Sequence, residues 1–220
     1  MITTVLPFLD DLVKNNNREW FQKNKPRYEQ AKKDFESFLG LVIPAVAKLD
    51  PSVKFIEPKD CLFRIYRDVR FSKDKSPYKT NFGAFIAKGG HKSHGPGYYI
   101  HLQPGGGSFL AGGIYMPEPD MMKKIRQEIY YNVDELKSIL KAKAFKKYFD
   151  GIDDWDKQKL PPREFPKDFP DIDLLKNRSF TVSSPMTDKM IMSAKLFDNV
   201  LSAFKAIQQY NSFLKRAVEG

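Results

Sequence analysis

The residues best equipped for chemistry are crowded into one stretch, Arg64-Ile65-Tyr66-Arg67-Asp68-Val69-Arg70-Phe71-Ser72-Lys73-Asp74-Lys75-Ser76-Pro77-Tyr78-Lys79. Between 64 and 79 six bases stand against two acids, a net +4. Guanidinium and ammonium groups at that density suit recognition of a phosphate or carboxylate through charge-assisted, sometimes bidentate hydrogen bonds. Read as an extended strand, the stretch places Arg64, Tyr66, Asp68 and Arg70 on one face, and Phe63, Ile65, Arg67, Val69 and Phe71 on the other. Arg67 then points toward apolar neighbours. A buried guanidinium without a counter-ion is costly, so Arg67 is assigned to a structural ion pair. An extended strand rising about 3.3 Å per residue would hold Arg64 roughly 20 Å from Arg70, too far to share one phosphate. Ser72, Asp74, Ser76 and Pro77 are turn formers, so the chain is expected to bend after Asp68 and gather Arg70, Lys73, Lys75 and Lys79 around one anion, with Arg64 and Tyr78 alongside. A straight row would track a longer polyanion instead.

Proton carriers near such a site are few. Asp68, between Arg64 and Arg70, is held ionised by its neighbours and suits the alignment of those arginines, although it stays a catalytic candidate beside His101. His101 shares a strand face with Tyr99 and has the ordinary acid–base range for the task. His91-x-x-His94 together with His101 forms a three-histidine set, but no carboxylate or cysteine completes a ligand spacing, so no metal is assigned, and no cofactor either. Gly89-Gly90-His91-Lys92-Ser93 is not a phosphate-binding loop, because His91 separates glycine from lysine and no helix pattern follows. A G-x-S-x-G elbow is missing. Tyr66, Tyr78, Tyr98 and Tyr99 could stack on bases, with Lys54, Lys59, Lys88 and Lys92 widening the basic face, yet paired aromatic RNA motifs, helix-turn-helix spacing and zinc fingers do not occur.

The elements that must position these groups follow from periodicity. Phe8, Leu9 and Leu12 recur at helical spacing, and Asn17 stands where it can cap the turn carrying Trp20 and Phe21. Tyr28, Ala31, Phe35, Phe38, Val42, Ala45 and Leu49 form a longer stripe, with Pro44 expected to kink it by removing the bond to Gly40. Four β-rich runs come next, at 61–69, 81–87, 97–103 and 108–115. Gln103-Pro104-Gly105-Gly106-Gly107 reads as the turn of an antiparallel hairpin. A helix opens near Pro117-Glu118-Pro119-Asp120, and further helical segments cover 133–140 and 143–148. Between 150 and 176 eight acids, five bases and Pro161, Pro162, Pro166 and Pro170 mark an irregular excursion, extending to about 178. Ser179 to Val182 returns a strand, and Phe197, Val200, Leu201, Phe204, Ile207 and Leu214 line a C-terminal helix. The expectation is one α+β domain over 1–220: a central antiparallel sheet of about four to five strands, with N-terminal and C-terminal helices packed on it.

Composition supports a chain that folds around its own core, with 41% hydrophobic and 14% aromatic residues in 220. The net charge of +10, from 37 Lys+Arg and 27 Asp+Glu, favours an anionic partner through long-range steering, although a basic face can also serve solubility alone. The single cysteine, Cys61, allows no intramolecular disulfide and fits a reducing compartment. Met1 to Pro7 lacks a basic leader, and no run approaches the roughly 20 apolar residues of a membrane helix. A cytoplasmic protein without a membrane partner is expected.

Arg64-x-x-Arg67-Asp68-x-Arg70-Phe71-x-x-x-Lys75-x-x-Tyr78 resembles the signature of a sparsely distributed bacterial family of conserved hypothetical proteins, a domain of unknown function. Gly95-Pro96-Gly97-Tyr98-Tyr99-Ile100-His101-Leu102 and Gly112-Gly113-Ile114-Tyr115-Met116-Pro117 are similar to that family too, so the resemblance covers nearly the whole chain. It implies no activity. Three readings of the basic segment remain: an anionic small-molecule site with phosphoryl chemistry as the first reaction class to try, a nucleic-acid face, and a structural ion-pair network beneath a protein-interaction surface.

Overall fold

The alternating runs meet in a four-stranded antiparallel sheet, β1 Phe82–Ile86, β2 Gly97–Leu102, β3 Ser108–Ile114 and β4 Phe180–Met186, in spatial order β1-β2-β3-β4. The computed structural model describes residues 2–220. Before the sheet come α1 Val5–Lys14, α2 Arg18–Lys23, α3 Lys25–Ala47 and the single turn α4 Pro58–Cys61. The connection from β3 to β4 runs through α5 Pro119–Tyr131, α6 Val133–Lys141 and α7 Lys143–Lys146, and after β4 the chain closes with α8 Asp188–Ile191 and α9 Leu196–Glu219. The α+β expectation is met.

Helix ends and faces follow the local chemistry. The Asn17 side chain accepts from the Trp20 amide at 2.9 Å and caps α2. In α3 the buried stripe is Ala31, Phe35, Phe38, Leu39, Val42, Ile43 and Val46, so Val46 takes the place expected of Ala45. The helix passes through Pro44, which stands exposed, and ends at Ala47.

Register decides which residues of the sheet are core. Phe82, Ala84 and Ile86 pair with Leu102, Ile100 and Tyr98, and Leu110 continues the row through Ile100. All of these are buried. α1 and α3 meet this face at Phe82, whose ring lies 6.3 Å from Phe8 and 6.2 Å from Phe35. α9 meets it at Tyr98, 5.1 Å from Phe204, and is tied down where the Tyr210 hydroxyl donates to the Phe180 carbonyl and Asn211 donates to that of Gly97. Fully burying side chains of this size is worth about 1.5–3 kcal/mol each, which makes this face the main source of stability.

One expected strand does not form. Cys61 ends α4, and from there to Lys79 the backbone makes only isolated bridges, Leu62 with Ala84 and Tyr66 with Tyr78. Between 64 and 68 only Ile65 is fully buried, so the run lacks the alternating apolar set that fixes a register. Pro77 also has no amide to offer a ladder.

The excursion at 150–178 is irregular apart from a 3-10 turn at Ile172–Lys176, and its acids act as staples. Asp156 pairs with Arg178 and accepts from the Ser179 hydroxyl, Asp173 takes Lys157 and Lys176, and Asp171 takes Lys137. No described helix is long and apolar enough to cross a membrane.

Candidate functional site

Among the described residues no α-helix supplies a side chain to the groove on the opposite face of the sheet. The row on that face runs Gly83 and Phe85 on β1, Tyr99 and His101 on β2, Phe109, Ala111 and Gly113 on β3, and Thr181 and Ser183 on β4. All of these except Gly83 form the floor of the groove, which has a volume of about 750 Å³. Glycine is required where this face packs tightly: a Cβ on Gly97 would stand 2.6 Å from the Phe85 ring, and one on Gly113 would stand 2.0 Å from the Phe180 carbonyl oxygen. One wall consists of Phe63, Lys79 and the 91–95 loop, and the other of Tyr115, Asp153 and Trp155.

The two walls differ in character. On the far side the Tyr115 and Trp155 rings stack at 5.6 Å and stay 66% and 57% exposed, an apolar ledge facing the groove. Below it the Asp153 carboxylate accepts from the hydroxyls of Thr181 and Ser183, both at 2.8 Å, which ties the irregular segment to β4. On the near side the Lys79 ammonium lies over the Phe63 ring at 5.6 Å. Burial lowers the Lys79 pKa, and the neighbouring Arg64 lowers it further. Neither residue has an ion pair among the described residues. His91 places Nδ1 2.7 Å from the Asp60 carbonyl, an arrangement that only an Nδ1–H satisfies, so in the neutral ring Nε2 bears the lone pair.

A second hollow of about 450 Å³ adjoins the groove across Phe63, Lys79 and His91, and brings in Arg64 and Lys59. Lys32 and Glu36 also line it; Lys32 is answered by Glu36 at 3.6 Å and Lys59 by Glu57 at 2.7 Å, which leaves Arg64 and Lys79 as its cations without an ion pair among the described residues.

The residues singled out by sequence are dispersed by the fold. Arg70 is engaged by Asp68, with Nε 3.0 Å from Oδ1 and Nη2 2.7 Å from Oδ2. That hydrogen bond holds the Asp68 carboxyl below its usual range, so Asp68 is poorly placed to carry a proton. Arg67 pairs with Asp74 and donates to the Ser72 hydroxyl. Lys75 donates to the Val69 carbonyl at 3.0 Å, and Lys73 stands exposed without an ion pair among the described residues. Tyr78 is buried and stacks on Phe21 at 3.9 Å. Of the four cations expected to converge, only Lys79 reaches the groove.

His101 does line the groove, but both ring nitrogens are occupied. Nδ1 faces the Tyr99 hydroxyl at 3.0 Å and Nε2 faces Gln103 Oε1 at 3.0 Å. The amide oxygen needs a donor, so Nε2 carries the hydrogen and Nδ1 accepts from Tyr99. Burial lowers the His101 pKa and pushes the Tyr99 hydroxyl up to about 12. Burial likewise pushes the Cys61 thiol to about 12, far from a nucleophilic thiolate. No group of three or more metal-ligating side chains occurs among the described residues.

Sequence reasoning missed Tyr115, Asp153, Trp155, Thr181 and Ser183 as groove residues. Asp153 was indistinguishable within a run of acids. The one available signal was a glycine on each of three strands, at 83, 97 and 113, which marks close approach on one face of the sheet.

The chain belongs to the family described as conserved hypothetical protein (DUF2461), whose model matches residues 4–213. No curated protein and no solved structure matches the chain.

Proposed function

We propose that the protein binds a small molecule bearing a phosphate or carboxylate and a flat apolar part, in the groove on the open face of the sheet. The observation that carries this reading is Lys79, a half-buried ammonium at the groove wall beside Arg64, with no ion-pair partner among the described residues. An ammonium so placed loses hydration and is repelled by its neighbour, and a bound anion relieves both costs. The anion belongs at Lys79 and Arg64, and the flat part extends over Phe109 toward the Tyr115–Trp155 ledge, where stacking favours rings. If a proton is transferred in the groove, the free Nε2 of His91 is the acceptor best placed for it, since the nitrogens of His101 are already engaged.

The test is a panel of ring-bearing carboxylates and phosphate monoesters read by Trp155 fluorescence in a Trp20→Phe background. A charge-assisted hydrogen bond is worth about 1.5–3 kcal/mol, so Lys79→Met is expected to weaken a hit roughly 10- to 100-fold. A ligand held equally by wild type and Lys79→Met, or bound without disturbing Trp155, eliminates the reading.

A further inference from the structure

We propose a second anion site, separate from the groove, in the hollow that the Pro-rich excursion forms against α5. Its centre is Arg126, on the buried side of α5 with Ile125 and Ile129 and only 7% exposed. Among the described residues the guanidinium has no ion pair and donates only through Nη2, to Gln158 Oε1 at 3.3 Å and to the Asn177 carbonyl at 3.1 Å. Nε is buried and meets no acceptor. Two neutral oxygens satisfy part of the hydrogen-bonding capacity and none of the charge. A guanidinium stays protonated under such conditions, so the deficit is met by a counter-ion.

The surroundings supply the rest of a site. Arg126 lines a hollow of about 500 Å³ with Gln158, Lys159, Arg163 and Glu164. Lys159 and Arg163 are exposed and form no ion pair among the described residues. Burial lowers the Arg126 pKa, and Glu164, the acid of the hollow, opposes that by its field while standing outside ion-pair distance. Three cations against one acid around a buried planar fork suit an oxyanion, a phosphate or carboxylate whose oxygens accept in pairs. Pro161 and Pro162 restrict the backbone between Lys159 and Arg163, so holding those two cations at the rim costs less conformational entropy.

The experiment titrates inorganic phosphate and, separately, acetate at constant ionic strength into the full chain by calorimetry, in a Lys79→Met background that silences the groove. A saturable heat is expected, and Arg126→Met in the same background is expected to weaken it at least tenfold. Arg126→Met removes an unpaired buried charge but also the donor to the buried Asn177 carbonyl, and as these effects oppose each other the anion-free melting temperature is expected to change little. Preference for phosphate or acetate identifies the group the site takes, and either preference supports it. The absence of saturable heat with both anions overturns the proposal, as does an undiminished response in Arg126→Met. If Arg126→Met fails to fold, Lys159→Ala with Arg163→Ala provides the reading: weaker phosphate binding at unchanged melting temperature supports the site, and unchanged binding overturns it. A marked melting loss in Glu164→Gln identifies Glu164 as the resident counter-ion and also overturns it.

Discussion

Arg67 and Arg70, at the tip of the basic segment, carry the same charge as Arg64 and Lys79 at its base, yet the two pairs end in different electrostatic states. At the tip an acid lies within reach along the chain: Asp68 is two residues from Arg70, and the bend brings Asp74 back onto Arg67. At the base neither cation has an ion pair among the described residues, and the two press on each other while one of them is half-buried. Density of positive charge therefore does not tell which cations the fold leaves unpaired. The informative feature is a cation that the protein has partly desolvated and left without a partner.

The sharpest test of that contrast compares Lys79→Met with Arg70→Met on any groove ligand, where the first is expected to lose about 10- to 100-fold in affinity and the second almost nothing. Equal losses would show that the tip also takes part in binding. Next in size is Gly113→Ala. Gly113 has φ +100 and its new Cβ would meet the Phe180 carbonyl, so a stability loss of about 1–2 kcal/mol or more is expected from the backbone conformation alone. Urea denaturation measures it, and an unchanged midpoint would mean that β3 and β4 shift to accommodate the Cβ without cost.

Smaller effects concern pH. The Lys79 pKa lies below the ordinary 10.5, so anion affinity should fall with rising pH earlier than an exposed lysine would dictate. Arg64→Met should move that fall upward, and binding measured from pH 7 to 10 decides. Burial holds His101 below its ordinary 6.5, so the unfolded chain takes up that proton first on acidification. Stability from this group is complete above about 6.5 and is lost as pH drops through the folded value, a slope that His101→Gln should remove in melting curves. Least of all, Asp68→Asn should leave the melting temperature nearly unchanged, because the Arg70–Asp68 pair is exposed and such pairs contribute little. Filter binding completes the series, since retention of nucleic acid at low salt with a steep salt dependence would point to the exposed tip, where Phe71 is 97% exposed, as a functional surface in its own right.

Much of the scaffold was legible in sequence. The hairpin across Gly105 and Gly106, the stripe on α3, the Asn17 cap and the apolar side of α9 each follow from steps of two, three or four residues, and local steric and burial constraints act over just that range. The misread strand at 61–69 shows where this stops. β-branched and aromatic residues favour extension there, but a strand also needs a neighbour with matching burial, and that neighbour is a property of the fold.

Residue order by itself determined the α+β layering, four of the five expected strands and the concentration of positive charge between 64 and 79. Tertiary structure alone decided which of those charges is neutralised, which sheet face carries the groove, and that Asp153 and Trp155, far along the chain, complete it opposite Lys79. The reason is the range of the forces involved. Periodicity and turn chemistry are written between near neighbours, whereas desolvation and ion pairing depend on distances through space that only the folded chain sets.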